Sequence, residues 1–147
     1  DGVIYNPILD DFFWASKGKG SWCNNNRLRV SKRQDIIDCI IGTGIPHMDR
    51  IYPQYLKEID AITKNCSGLR RMGAASIDLA YVAAGKLDAY WERNLNIWDV
   101  SAGVLLVKEA GGRVSQPNGE SWDIHSKDIL VSNSNIHEII QEKLEII

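Results

Sequence analysis

The sequence predicts a layered chain of mixed α+β or α/β class: an antiparallel meander over residues 1–31, then a sheet flanked by helices over residues 32–147. Three observations predict it. Short β-rich runs near the start are separated by Asn, Pro and paired Asp, which is turn chemistry. From residue 36 onward strand-like and helix-like runs alternate, the pattern of a sheet covered by helices. Two of the helical runs end on glycine, at Gly85 and at Gly111 with Gly112, as αL-capped helices do.

Taken in order, residues 3–5 and 12–16 form a hairpin across "NPILDD". "GKGSWCNNNRLRVS" adds a short strand, an Asn-rich turn and an alternating strand ending at Ser31. "IIDCII", residues 36–41, is nearly all apolar and β-branched, as a strand covered on both faces should be. "GTGIPHMD" follows as a loop. In residues 52–65, Tyr55, Ile59 and Ile62, followed by Cys66, recur at helical spacing. Residues 68–72 form a short strand. "AASIDLAYVAA", residues 74–84, is apolar around most of its circumference and predicts a buried helix, and "KLDAYWE" a strand. Residues 100–110 form the next helix, "RVS" a strand before the "QPNGE" turn, residues 128–132 a buried strand and residues 136–144 a last helix.

Composition sets limits on function. Apolar residues make up 44% and charged residues 24%, enough for a sizeable core in an ordinary soluble chain. A net charge of -2 gives no electrostatic reason to expect direct nucleic-acid binding or an anionic membrane. No apolar run approaches the ~20 residues of a membrane span. Cys23, Cys39 and Cys66 are odd in number and lack metal-ligand spacing, which suits reduced thiols and a cytoplasmic location.

The chemistry concentrates in "NLNIWDVSAGVLLVKEAGG", residues 94–112. Asp99 precedes an apolar helical run, so it either caps that helix or holds a ligand. Glu92, at the end of the preceding strand, brings a second carboxylate to the same strand-loop-helix turn, where such sheets place ligands. Trp98 stands beside Asp99 and could shield or orient it. Ser101, Ala102 and Gly103 are small enough for a backbone or ligand to come close to the helix start.

"WDVSAGVLLVKEAGG" resembles the C-terminal signature of the inositol monophosphatase family: a Trp-Asp pair, small residues ending in Gly, a hydrophobic turn, then Glu-Ala-Gly-Gly. "GVIYNPILDDFFWASKGKGSWCNNNRLRVS" and "RRMGAASIDLAYVAAGKLDAYWE" resemble the family's hairpin region and its buried helix with the following strand. The nearest branch is the bacterial SuhB-like one. The resemblance implies the C-terminal half of the layered sugar-phosphatase fold, with residues 1–31 completing an N-terminal domain and residues 32–147 forming the C-terminal one. It further implies an Mg2+-dependent phosphomonoesterase. Asp99 matches the aspartate that ligates Mg2+ and approaches the substrate's hydroxyls; Glu92 matches a glutamate that hydrogen-bonds the sugar-like ring. Gly73, Ala74 and Ala75 match the helix start bordering the substrate, and Asn96 a position where the family varies, often carrying His or Arg.

One departure is decisive for activity. The family's upstream glutamate and its Asp-Pro-Ile/Leu-Asp-Gly-Thr motif, which supply most metal ligands, are absent from the 147 residues. The expectation is a piece of a longer protein, with that motif just before residue 1 and no activity in these residues alone.

Other candidates have plainer explanations. His47 suits a solvated loop; His125 and His137 lack a second ligand at helical or hairpin spacing. Asp78, the one charge in the buried helix, sits in its first turn, where it suits the helix dipole. Arg70 and Arg71 could face phosphate or pair across an interface. Trp14, Trp22, Trp91 and Trp122 are expected in cores or interfaces, since no basic stripe accompanies them.

The favoured substrate is a small-molecule phosphate ester, myo-inositol monophosphate. Fructose 1,6-bisphosphate, a nucleotide 3'-phosphate and NADP are alternatives that share the metal site, with Glu92 and residues 43–49 as the discriminating positions. The resemblance also permits a homodimer, and an RNA polymerase contact in transcription or ribosome biogenesis that needs no catalysis.

Overall fold

The structure is a computed structural model that describes residues 1–45 and 53–145. Strands β1 (Gly2–Asn6), β2 (Asp11–Ser16), β3 (Gly20–Cys23) and β4 (Asn26–Arg27) form an antiparallel sheet in sequence order. Its register pairs Val3 with Trp14 and Trp14 with Trp22. Alternation then buries Ile4, Phe13 and Ala15 on one face.

The strand expected to run to Ser31 ends at Arg27. Beyond it the backbone leaves the ladder for partners elsewhere: the Val30 N–H donates to the Ala110 carbonyl, and the Ser31 hydroxyl donates to Asp88. The strand expected at residues 36–41 is also displaced. Ile36–Asp38 is a single 3₁₀ turn, with local bonds from the Asp38 and Cys39 N–H groups, and β5 runs Ile40–Thr43. An acidic residue inside an apolar run resists burial on both faces, and Ile37 is 59% exposed.

The second sheet has the order β6-β5-β7-β9-β8, built from β5, β6 (Gly68–Arg70), β7 (Ala89–Glu92), β8 (Arg113–Ser115) and β9 (Ile129–Ser132). β6, β5 and β7 are parallel neighbours, while β9 is antiparallel to both β7 and β8. The helices are α1 (Pro53–Thr63), α2 (Ala75–Ala83), α3 (Ile97–Glu109) and α4 (His137–Glu145).

The layers follow from which face each strand residue serves. Tyr90, Ile129 and Val131 join α2, α3 and the inner face of the first sheet in one core. Ala89, Trp91 and Leu130, their alternating neighbours, join α1 and α4 in a second. The order is therefore first sheet, α2 with α3, second sheet, α1 with α4. Close approach needs small residues: a Cβ on Gly103 of α3 would stand 2.5 Å from Leu79 Cβ of α2. Among the described residues no helix is long and apolar enough to cross a membrane.

Candidate active site

β5 and β7 run parallel and end together, and α2 and α3 begin beside those ends. A cavity of about 440 Å³ opens there. Gly73, Ala74, Ala75, Glu92, Asn96 and Asp99, the residues that the resemblance assigns to the site, line it, together with Gly44, Arg71, Asp78, Arg93 and Asn94.

Helix α3 starts at Ile97, three residues earlier than expected, so Asn96 is the N-cap and Asp99 the third helical residue. The Asn96 N–H donates to Asp99 Oδ2 at 3.1 Å. Asp99 thus closes the helix start from inside the first turn, not from the cap position. Its Oδ1 makes no hydrogen bond among the described residues, which leaves one oxygen for a ligand. Trp98 does not shield it: that ring is 78% exposed and points away from the cavity lining. An i,i+1 neighbour on a helix faces another direction.

Glu92 ends β7 half-buried, accepting the hydroxyl proton of Tyr90. Burial raises the Glu92 carboxyl above the usual range; the Tyr90 bond and Arg71 oppose this, and Asp99 adds to it. Burial beside Glu92 also keeps Tyr90 protonated by raising its phenol well above the usual value. Gly44 makes room for Glu92, because a Cβ there would fall inside its carboxyl group.

Asp78 lies in the first turn of α2, as read from the sequence, but more than the helix dipole surrounds it: its carboxyl makes no capping bond, and the residue is 1% exposed, lines the cavity, and has an Oδ1 without a partner among the described residues. Such an orphan costs about 1–3 kcal/mol. Burial, with Glu92 nearby, pushes it up to about 7 against the pull of Arg71. Of the two arginines only Arg71 lines the cavity, while Arg70 is exposed and donates to the Leu69 carbonyl.

Three further residues hold the loop between β7 and α3. Glu58 of α1, fully buried, accepts from Trp91 Nε1 at 3.0 Å and from Arg93 Nε at 2.8 Å. Arg93 also donates to Asp128 at 2.9 Å, and Asp128 accepts the N–H of Asn94, whose φ is +61°. The sequence hid Glu58, a charge at a helix position that the apolar spacing did not mark. Alternate glycines, Gly42 and Gly44, were the legible sign that something packs against the end of β5.

The other candidates fall elsewhere. His137 is fully buried between the Ser115 and Ser132 hydroxyls, and His125 is exposed. His47 lies outside the described residues. Trp91 is in the second core, and Trp14 stacks on Trp22 at 5.8 Å on the outer face of the first sheet. Among the described residues no three His, Cys, Asp or Glu side chains are grouped to hold a metal ion.

Comparison with known proteins fits this geometry. The chain is 47% identical over 146 residues to the inositol-1-monophosphatase of Caulobacter vibrioides, covering 97% of this chain and 57% of that protein. It is 42% identical over 135 residues to the Nus factor SuhB of Pseudomonas aeruginosa, covering 90% and 50%. The crystal structure of extragenic suppressor protein suhB from Bartonella henselae superposes with a TM-score of 0.93 at 45% identity, over 97% of this chain and 56% of that one. Inositol monophosphatase from Anabaena gives 0.93 at 36%, over 99% and 58%. The chain spans about half the length of the curated relatives it matches. The family model described as "Inositol monophosphatase family" matches residues 2–147, and with that match, those identities and the shared layered fold, the chain belongs to the inositol monophosphatase family.

Proposed function

We propose that the complete protein is an Mg2+-dependent phosphomonoesterase that hydrolyses myo-inositol monophosphate, and that these residues form the polyol-facing part of its site. Convergence of Asp99, Glu92 and residues 73–75 on one cavity carries the assignment. Glu92 accepts hydrogen bonds from ring hydroxyls, its orientation set by Tyr90. Residues 73–75 bring backbone, not bulky side chains, to the ligand. The Glu58–Arg93–Asp128 clamp fixes the loop carrying Asn94 and Asn96.

The donor set fits Mg2+ in part. Asp99 offers a hard oxygen with one lone site, which suits an ion that prefers oxygen and shares substrate phosphate. One carboxylate is not a metal site, so the remaining ligands come from outside these residues, and this chain alone is inactive. When bound, the ion supplies charge neutralisation for the ester and an activated water.

Asp99→Asn in the complete protein separates cap from ligand. The amide oxygen can still accept the Asn96 N–H, so the melting temperature should hold. Phosphate release should fall about 100-fold or more, as loss of a metal-site group does. Unchanged turnover would remove the metal role.

A further inference from the structure

Asp78 is the group in the cavity that the assignment above leaves without work. It is buried, faces the same space as Glu92, and carries an oxygen with no partner among the described residues. A buried hydrogen-bonding atom left unpaired beside an open cavity is satisfied when a ligand fills that cavity.

The backbone is shaped to hold it there. A Cβ on Gly42 would stand 3.1 Å from Asp78 Oδ1 and 2.9 Å from Leu87 Cδ1, so glycine leaves the carboxyl its present position and a side chain there would push on it. Gly44, just past the end of β5, makes room for Glu92 in the same way. Two acids thus lie side by side along one glycine-lined edge, one from α2 and one from β7. They differ in one respect: Glu92 already has a donor in Tyr90, whereas Asp78 has none. Burial pushes the Asp78 carboxyl up to about 7, with Glu92 raising it and Arg71 lowering it, so near neutral pH the protonated form is well populated and can donate where Glu92 accepts.

We propose that Asp78 is a second polyol-binding residue, which with Glu92 makes a donor and acceptor pair for neighbouring hydroxyls and so selects hydroxyl-rich phosphate esters over plain aryl or alkyl ones. The assignment rests on the phosphatase reading for the ester but not for the hydroxyls. A site built around substrate hydroxyls discriminates strongly against analogues that lack them, because its own polar groups are then left unpaired.

The test uses the complete protein and two esters, myo-inositol monophosphate and p-nitrophenyl phosphate, which has no ring hydroxyls. Asp78→Leu keeps the branched shape in a bulkier side chain and removes both polar atoms; Asp78→Asn keeps a neutral donor and acceptor. The ratio of kcat/KM values for the two esters should fall about 10-fold or more in Asp78→Leu and less than about 3-fold in Asp78→Asn. A ratio that stays put in Asp78→Leu, or falls equally in both variants, overturns the assignment. If Asp78→Leu does not fold, Asp78→Ala is read by the same criterion. Calorimetry with free myo-inositol distinguishes the two readings. Inositol binding lost in Asp78→Leu, with no ester turned over by the unsubstituted protein, would keep Asp78 and sink the phosphatase. Full turnover by the unsubstituted protein, with inositol binding intact in Asp78→Leu, would do the reverse. Neither binding nor turnover in the unsubstituted protein would end both.

Discussion

Gly103→Ala tests the packing that sets the width of the site. Gly103 lies in α3 against Leu79 of α2, and these two helices carry Asp99 and Asp78 to the cavity. A Cβ at residue 103 would meet Leu79 Cβ at 2.5 Å and Leu79 Cδ1 also at 2.5 Å. Carbon atoms at rest stand about 3.5–4.0 Å apart, so the helices must part by about 1 Å. Forcing one extra carbon into a packed core costs roughly 1–3 kcal/mol. The helical preference of Ala over Gly returns about 1 kcal/mol. Because one of the two clashes is with a Cβ, which no rotamer change can move, the cost should lie toward the upper end, leaving a net loss of about 1–2 kcal/mol. Equilibrium urea unfolding of the complete protein should show a lower midpoint with an unchanged slope. Leu79→Ala should recover little in the double variant, since its Cβ remains. A midpoint equal to or above that of the unsubstituted protein would refute the close approach of α2 and α3.

Other perturbations follow from single groups. His137 is fully buried and pushed down to about 4, by burial first and then by Arg113. The unfolded chain binds its proton near pH 6.5, so stability should be full above that pH and fall by up to about 3 kcal/mol as pH drops toward 4; His137→Gln should flatten this slope, and an unchanged slope would count against the neutral buried ring. Asp88, also fully buried, accepts from the Ile40 N–H at 2.7 Å and from Arg33 at 3.1 Å. Asp88→Ala should cost roughly 3 kcal/mol in thermal unfolding, the lower end for a broken buried pair because Arg33 is half exposed, with Asp88→Asn costing less. Gly44→Ala should leave stability nearly intact yet displace the Glu92 carboxyl, raising KM for myo-inositol monophosphate about 10-fold; an unaltered KM would show that Glu92 does not need its present position.

Much of this molecule is legible in the sequence where local chemistry and tertiary demand agree. The hairpin between β1 and β2, the Gly85 cap at φ +69° and the apolar helix α2 all come from residues whose preferences the fold satisfies. Disagreement marks the places where distant partners intervene. Residues 28–31 alternate like a strand but are drawn off by Ala110 and Asp88, which lie 80 and 57 residues downstream of Val30 and Ser31. Ile36–Asp38 has strand-forming residues but folds as a local turn that positions Cys39 at the entry to β5. In the site, Asp99 and Glu92 stand in a recognisable motif, whereas Asp78 looks like a dipole-compatible first-turn acid until its surroundings show that no backbone N–H donates to its Oδ1. Glu58 is invisible for the same reason: only the folded chain brings Arg93 and Trp91 to it.

The charge on the cavity wall decides how an anionic ester can enter. Arg93 is engaged by Glu58 and Asp128, which leaves Arg71 as the cation facing the cavity among the described residues. Against it stand the carboxylates of Glu92 and Asp99, so the wall carries one net negative charge while Asp78 is protonated. A phosphate monoester brings about −1.5 to −2 charges of its own. At ~6 Å and an effective dielectric of ~20, each pair of like unit charges costs roughly 3 kcal/mol, enough to exclude the ester from a site that would otherwise bind its polyol. A divalent cation held by Asp99, as proposed, would reverse the sign of that balance. On the proposed reading a neutral Asp78 would serve two ends: it would give a polyol a donor, and it would hold the deficit at one charge, which a single divalent cation more than offsets. On the proposed function, the acids assigned to the hydroxyls would accommodate an anionic substrate best in the company of a metal ion, and the polyol and metal roles of this cavity would be coupled through its charge.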